Sequence, residues 1–297
     1  RDKLSIRPSL TLPDAFMAPF SALKRPLTSL LMVGALLTSL SNPASAAPKS
    51  YSVYYSVSIA FISIGTARFS ETRRGSGYKL HLGADFLGIF RYFFAPRLIA
   101  DVEGVESGGK FSGNRYSLAV DHPDDPQRVD MTLSGGTVTS AVLTPPLPER
   151  PDRVPVLPEQ KRGVIDPLTA FLIPLKNEPT ASDVCAQTLK VFDGAGRFDI
   201  TLLPDQERTL SIPGYKGPTV DCYVRYMPVS GHREKRANVT YMENNRDISV
   251  RLAQVPGQSY FVPVDIQIAT MIGNLRIEAT KIEGFEKPSD TATAETP

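Results

Sequence analysis

The run Tyr51-Ser52-Val53-Tyr54-Tyr55-Ser56-Val57-Ser58-Ile59 decides the fold class. Tyr51, Val53, Tyr55, Val57 and Ile59 fall on one face of an extended strand with serines between them, because successive side chains of a strand point to opposite faces. The same period of two, carried by β-branched and aromatic residues, recurs outward from this run. Gly65 precedes a stretch over 66–72, and Gly75-Ser76-Gly77 turns into another over 78–82. Strands are predicted over 115–120, 128–133 and 137–143, the last two joined by the hairpin signal Ser134-Gly135-Gly136. Later ones are predicted over 187–192, 197–203, 220–226, 248–253, 260–269 and 275–282, with Asp193-Gly194-Ala195-Gly196 and Gly273-Asn274 as turns. The chain is predominantly β.

Two stretches break this period. Over 85–97, Phe86, Leu87, Ile89, Phe90, Phe93 and Phe94 recur at helical spacing beside Arg91 and Arg97. This predicts a short amphipathic helix, with two uses open to it. It packs its phenylalanine face onto the sheet, or it closes a β-cavity and touches an acyl chain or a membrane. Phe86, Phe90, Arg91, Phe93 and Phe94 are therefore the candidate ligand-binding residues. Over 166–175, Asp166 suits an N-cap, Pro167 the first helical position, and Leu168, Phe171, Leu172 and Leu175 form an apolar stripe. The cap role accounts for Asp166 without a catalytic one.

Six prolines lie between 144 and 160, namely Pro145, Pro146, Pro148, Pro151, Pro155 and Pro158. That density does not fit a sheet interior and reads as an extended connector. It separates a first β half over 47–143 from a second over 161–286, which opens with the predicted helix. The tail over 287–297, rich in Ser, Thr, Ala and Glu, is expected to be disordered.

The N-terminal region carries an export signal. Lys24 and Arg25 precede an apolar stretch over 27–40, and Asn42-Pro43 then leads to Ala44-Ser45-Ala46. Cleavage is expected between Ala46 and Ala47, with Met17 as the natural start of the leader and a periplasmic destination. The apolar stretch is shorter than the roughly 20 residues of a membrane span, although an uncleaved anchor or a buried helix is the alternative. Charge agrees with this division. Arg1, Lys3, Arg7, Lys24 and Arg25 against Asp2 and Asp14 make the first 46 residues +3, leaving 28 basic against 29 acidic groups in the rest. So balanced a remainder disfavours nucleic acid as a partner. In an oxidising compartment the only two cysteines, Cys185 and Cys222, are expected to form a disulfide, two buried free thiols being the alternative.

Catalytic templates are missing: there is no G-x-S-x-G, H-E-x-x-H, P-loop or G-x-G-x-x-G opening a helix. His81, His122 and His232 lack metal-ligand spacing. The tract His232-Arg233-Glu234-Lys235-Arg236 fits a solvated hairpin loop better than a site for an anionic head group. No catalytic residue, metal site or cofactor is predicted.

With these residues in view, the chain resembles an uncharacterised bacterial envelope family catalogued as domain of unknown function 3108. The resemblance is carried by Gly163-Val164-Ile165-Asp166-Pro167-Leu168-Thr169-Ala170, by Cys185 leading to Val191-Phe192-Asp193-Gly194 and Arg197-Phe198-Asp199, by the run from Cys222 to His232, and by Tyr260-Phe261-Val262-Pro263-Val264. It implies a strongly curved antiparallel sheet, an open barrel or β-spiral, with a helix across it and the two cysteines paired. Three functions compete. The first is a non-enzymatic periplasmic protein of envelope maintenance that binds a lipid or lipopeptide in the curved sheet. The second is a scaffold that binds another envelope protein through a sheet edge. The third is a hydrolase acting on envelope polymers.

Overall fold

Alternation along single strands becomes continuous apolar rows once the strands pair. Ile282, Val53, Phe69, Leu82, Ala100, Leu118, Val129 and Leu143 stand opposite one another in succession across eight strands. The adjacent row, Ser52, Ser70, His81, Asp101, Ser117 and Asp130, is polar across six strands and ends on the exposed Val142. A slip of one residue would exchange the two rows, so burial of the first fixes the register.

The structure is a computed structural model and describes residues 49–88, 97–122 and 126–285. The first half contributes β1 (Lys49–Ile59), β2 (Ile62–Arg74), β3 (Gly77–Phe86), β4 (Arg97–Ser107), β5 (Lys110–Asp121), β6 (Gln127–Ser134) and β7 (Thr137–Thr144). The second contributes β8 (Ile173–Pro174), β9 (Gln187–Phe192), β10 (Arg197–Ile212), β11 (Tyr215–Ser230), β12 (Ile248–Gln254), β13 (Tyr260–Thr270) and β14 (Gly273–Glu283), with helices α1 (Ala181–Cys185) and α2 (Ala237–Asn244). All belong to one antiparallel sheet in the order β7-β6-β5-β4-β3-β2-β1-β14-β13-β12-β11-β10-β9, with β8 beside β13. The two halves are thus joined through β1 and β14. Strand β4, which the sequence reading missed, alternates as its neighbours do; its exposed face carries Asp101 and Glu103.

The sheet is open and strongly curved. The rings of Phe111 on β5 and Tyr260 on β13 meet edge to face at 5.1 Å. Six ladder steps separate those strands, which at about 4.8 Å per step would be about 29 Å in a flat sheet. Its two ends are tied to one short segment. Val164 N donates to Gly136 O (3.0 Å) and Arg162 bridges Thr137, at the β7 end. Ile165 N donates to Lys190 O (2.9 Å) and Phe192 N to Ile165 O (2.9 Å), at the β9 end.

The helix expected over 166–175 is a single 3-10 turn, Thr169–Phe171. The N-cap position of this turn is Leu168 rather than Asp166, yet Asp166 gathers the N–H groups at its start: its fully buried carboxyl accepts from Leu168 N (3.0 Å), Thr169 N (2.8 Å) and the Thr169 hydroxyl (2.6 Å). The turn goes no further because Pro174 disfavours helical geometry at Ile173, and Ile173–Pro174 pairs with Tyr260 and Phe261 instead. The apolar stripe is still buried. Leu168 and Leu172 enter the first core, and Phe171 stacks on Phe69 at 5.6 Å. The tract 232–236 is likewise no free loop: Gly231 N donates to Val154 O and Val154 N to His232 O, while Arg233 pairs with Asp152 at 2.8 Å. The proline-rich connector docks there by these contacts.

A second core contains the disulfide Cys185–Cys222, which links α1 to β11 and is fully buried. The leader expected over 1–46, the tail over 287–297 and the residues Phe90, Arg91, Phe93 and Phe94 lie outside the described residues. The disulfide spans 37 residues, a loop whose closure is worth about 4 kcal/mol in the chain-entropy model. Replacing both cysteines by serine should therefore lower the melting temperature by about 8–16 °C, at about 2–4 °C per kcal/mol for a domain of this size. Thermal unfolding of the double variant checks this, and a melt equal to wild type would contradict it.

Candidate functional site

An apolar cleft of about 240 Å³ lies between the Ala170-Phe171 turn and the sheet of the second half. Its floor comes from Leu202 on β10, Val224 on β11, and Ile248 and Val250 on β12, all buried. Its sides are half-buried: Leu189 and Ile200 at one flank, Ile266 and Ile268 of β13 at the other, and Met242 of α2 across it. Alternation along β9 to β13 places these side chains on a shared face. The cleft persists because little covers this face. The first half's interior is filled by Val164, Leu168 and Leu172, whereas α2 buries no residue fully.

Tyr226 supplies the one side-chain oxygen or nitrogen among the described residues that line the cleft. Burial pushes its phenol above the ordinary tyrosine value, and Asp193 and Glu243 add to the rise. The hydroxyl therefore remains a proton donor at neutral pH. Chemically, the cleft can hold a slender apolar group and offer one hydrogen bond beside it.

Of the predicted ligand-binding residues, Phe86 is described. It ends β3, packs against the small cluster of Val57, Ile59 and Ile64, and does not line the cleft. The sequence reading passed over Leu189, Ile200, Ile266 and Ile268 as ordinary strand residues, because a dry core would alternate in the same way.

The polar candidates serve the architecture. Asp166 is enclosed by its own turn; Tyr78 OH donates to the Thr169 hydroxyl at 2.9 Å, since that hydroxyl's proton goes to Asp166. Its oxygen lies so close to β5 that a Cβ on Gly113 would stand 2.1 Å away. His81 Nδ1 meets Asp101 Oδ1 at 2.8 Å on the exposed face, beside a depression of about 600 Å³ lined by both polar and apolar side chains. Asp221, Arg251 and Asp265 stand in register across β11, β12 and β13. Arg251 grips Asp221 (2.7 and 3.0 Å) and Arg276, from outside the row, grips Asp265 (3.0 and 2.9 Å), so each carboxylate has an arginine partner. Among the described residues no group of His, Cys, Asp or Glu is placed to hold a metal ion, and no helix is long and apolar enough to cross a membrane.

Glu71 is buried too, as are Asp199, Asp221 and Asp265. Tyr260 OH donates to Glu71 Oε2 at 2.7 Å, and Arg73 lies 3.4 Å from Oε1. Arg73 also reaches Gln258 and Glu106, so the cluster joins β2 to the start of β13.

Fold and cleft together define a curved, open antiparallel β protein with an apolar recess. The family described as a protein of unknown function (DUF3108) matches residues 50–280, and the chain belongs to it. No curated protein and no solved structure matches the chain.

Burial raises the Glu71 carboxyl above its ordinary value of 4.5, against the opposing pull of Tyr260 and Arg73. A carboxyl raised by folding contributes stability that is full below the unfolded value and is lost as pH rises through the folded one. Glu71→Gln removes that titration. In thermal melts from acid to neutral pH, the melting temperature of Glu71→Gln minus that of wild type should climb with pH. A constant or falling difference would contradict the assignment.

Proposed function

We propose that the protein is an exported, non-enzymatic periplasmic protein of the bacterial cell envelope that takes an acyl chain, or a similarly slender apolar group, into the cleft above β9 to β13. The observation that carries this reading is the wall itself, apolar on every side except for the Tyr226 hydroxyl. At about 240 Å³ the cleft is smaller than the roughly 300–1,000 Å³ of pockets for drug-sized ligands, which suits one chain rather than a whole multi-chain lipid. Tyr226 carries the one hydroxyl among the lining side chains, a donor for an oxygen at the polar end of such a chain. Export rests on the leader pattern over 24–46 and agrees with a buried disulfide.

A second reading, a scaffold that binds another envelope protein by strand addition, has its own observation. Strand β7 ends the sheet, and beyond Thr137 its outer edge has no strand partner among the described residues. For the hydrolase reading the buried carboxylates offer little, since none of Glu71, Asp166, Asp199, Asp221 and Asp265 lines the cleft.

Native mass spectrometry of the protein exported to a bacterial periplasm, followed by organic extraction, tests the first reading. The expected result is a stoichiometric acyl-bearing adduct on a chain two hydrogens light from its disulfide. Ala170→Leu, which fills the cleft, should lower adduct occupancy about tenfold, the loss expected when some 1.4 kcal/mol of apolar burial is blocked. A bare mass, or an adduct unchanged by Ala170→Leu, would turn the search to the β7 edge.

A further inference from the structure

The two hairpin tips at one end of the sheet carry side chains that neither the fold nor the cleft uses. Strands β1 and β2 are joined by Ala60-Phe61, and β13 and β14 by Met271-Ile272. The tips are neighbours: Ala60 N donates to Asn274 O at 3.0 Å, and a Cβ on Gly273 would stand 3.0 Å from that of Ala60. Phe61 is 102% exposed, Ile62 57%, Met271 64% and Ile272 71%. Four large apolar side chains thus project together into solvent.

Local backbone preference opposes this arrangement. Ala60 and Phe61 have φ of 45° and 69°, the left-handed pair of a two-residue hairpin turn that strongly favours Asn-Gly. The chain places a β-carbon at both positions and a phenyl ring at the more exposed one, although neither choice eases the turn. The surroundings suit removal from water. No Asp, Glu, Lys, Arg or His occurs over 50–67 or 266–275. The tip backbone is closed on itself, with Ile272 N donating to the Thr270 hydroxyl and that hydroxyl donating to Gly273 O. The tips therefore bring no charge of their own into an apolar phase; Asp247, exposed and joined through its carbonyl to Ala269 N at 3.0 Å, marks where the polar surface resumes.

From these features we infer that the paired tips insert into the surface of a lipid bilayer, with Phe61, Ile62, Met271 and Ile272 as the inserted groups. The tips protrude, and a fluid apolar layer accepts protruding side chains of any shape, whereas a protein partner must supply a matching pocket. Strand β13 adds continuity, since it carries Ile266 and Ile268 in the cleft wall and reaches Met271 three residues later. The inference rests on the tips and does not require the cleft to be occupied. Without charge at the tips, binding is driven by apolar burial and is insensitive to salt.

The chain has no tryptophan, so Phe61→Trp in the full chain makes a single reporter at the tip that any leader or tail leaves unconfused. With phosphatidylcholine vesicles its emission should shift to the blue, unchanged by high salt, and be quenched by brominated acyl chains. Val142→Trp, on the exposed face of β7, should not respond. Adding Met271→Ser and Ile272→Ser to the Phe61→Trp chain should weaken partitioning about tenfold or more. Ala60→Asn with Phe61→Gly should melt higher than wild type, because the turn then holds residues it prefers. Four results would each overturn the inference. They are no shift at Phe61→Trp, an equal shift at Val142→Trp, a shift without vesicles accompanied by a doubled mass, and a lower melt for the Asn-Gly turn.

Discussion

An open sheet leaves two edges, and each edge is a row of backbone donors and acceptors in want of partners. In this protein both ends of a long curved sheet are tied to residues 162–165, which pair with the start of β7 on one side and run parallel to β9 on the other. The segment is held in that place by the turn after it. Asp166 directs the chain inward, and its carboxylate gathers two backbone N–H groups and the Thr169 hydroxyl. Those bonds offset much of the cost of burying a carboxylate. Leu168, Phe171 and Leu172 then fill the concave side of the first half. The curvature, the pinned edges and the first core thus share one origin.

The same arrangement explains where the molecule is incomplete. Among the described residues, 164–172 cover the first half, whereas the second half is covered by their outer side, by a five-residue helix anchored through the disulfide, and by α2. Strand β13 lies between the two regions and is apolar on both faces: Tyr260, Val262 and Val264 belong to one core, while Phe261 belongs to the other. What remains uncovered is the cleft. A gap in a close-packed interior forfeits the contacts its lining side chains would otherwise make. An acyl occupant would restore those contacts.

Much of the fold was legible in the sequence, because strand alternation reports burial directly. The residues facing Val53 and Phe69 were readable as strand positions before their partners were known. Asp166 illustrates the limit. Its capping signal was correct for the N–H groups it binds, but a cap does not set the length of its helix, and Pro174 ends the turn after three residues. Strand β4 was missed beside an aromatic run that drew attention to helical spacing. Helix α2 lacks the apolar stripe that would have announced it, since no residue in it is fully buried. The cleft was beyond reach for a different reason: Ile266 and Ile268 alternate identically whether a neighbouring layer touches them or not, and only the thinness of the cover decides.

One pairing has a temporal side. The centre of the sheet is the seam between β1 and β14, where the Tyr54 hydroxyl reaches Glu283 across 229 residues of sequence. Strands β1 to β7 are successive hairpins and can zip locally as the chain emerges, but the inner edge of β1 must wait for β14, the last of the described strands. Until then it is an unprotected edge with Val53, Tyr55 and Val57 beside it, a template for pairing with a neighbouring nascent chain. Long-range pairing of this kind makes folding slow. A protein built around its last seam therefore depends on being kept apart from its siblings while it is made.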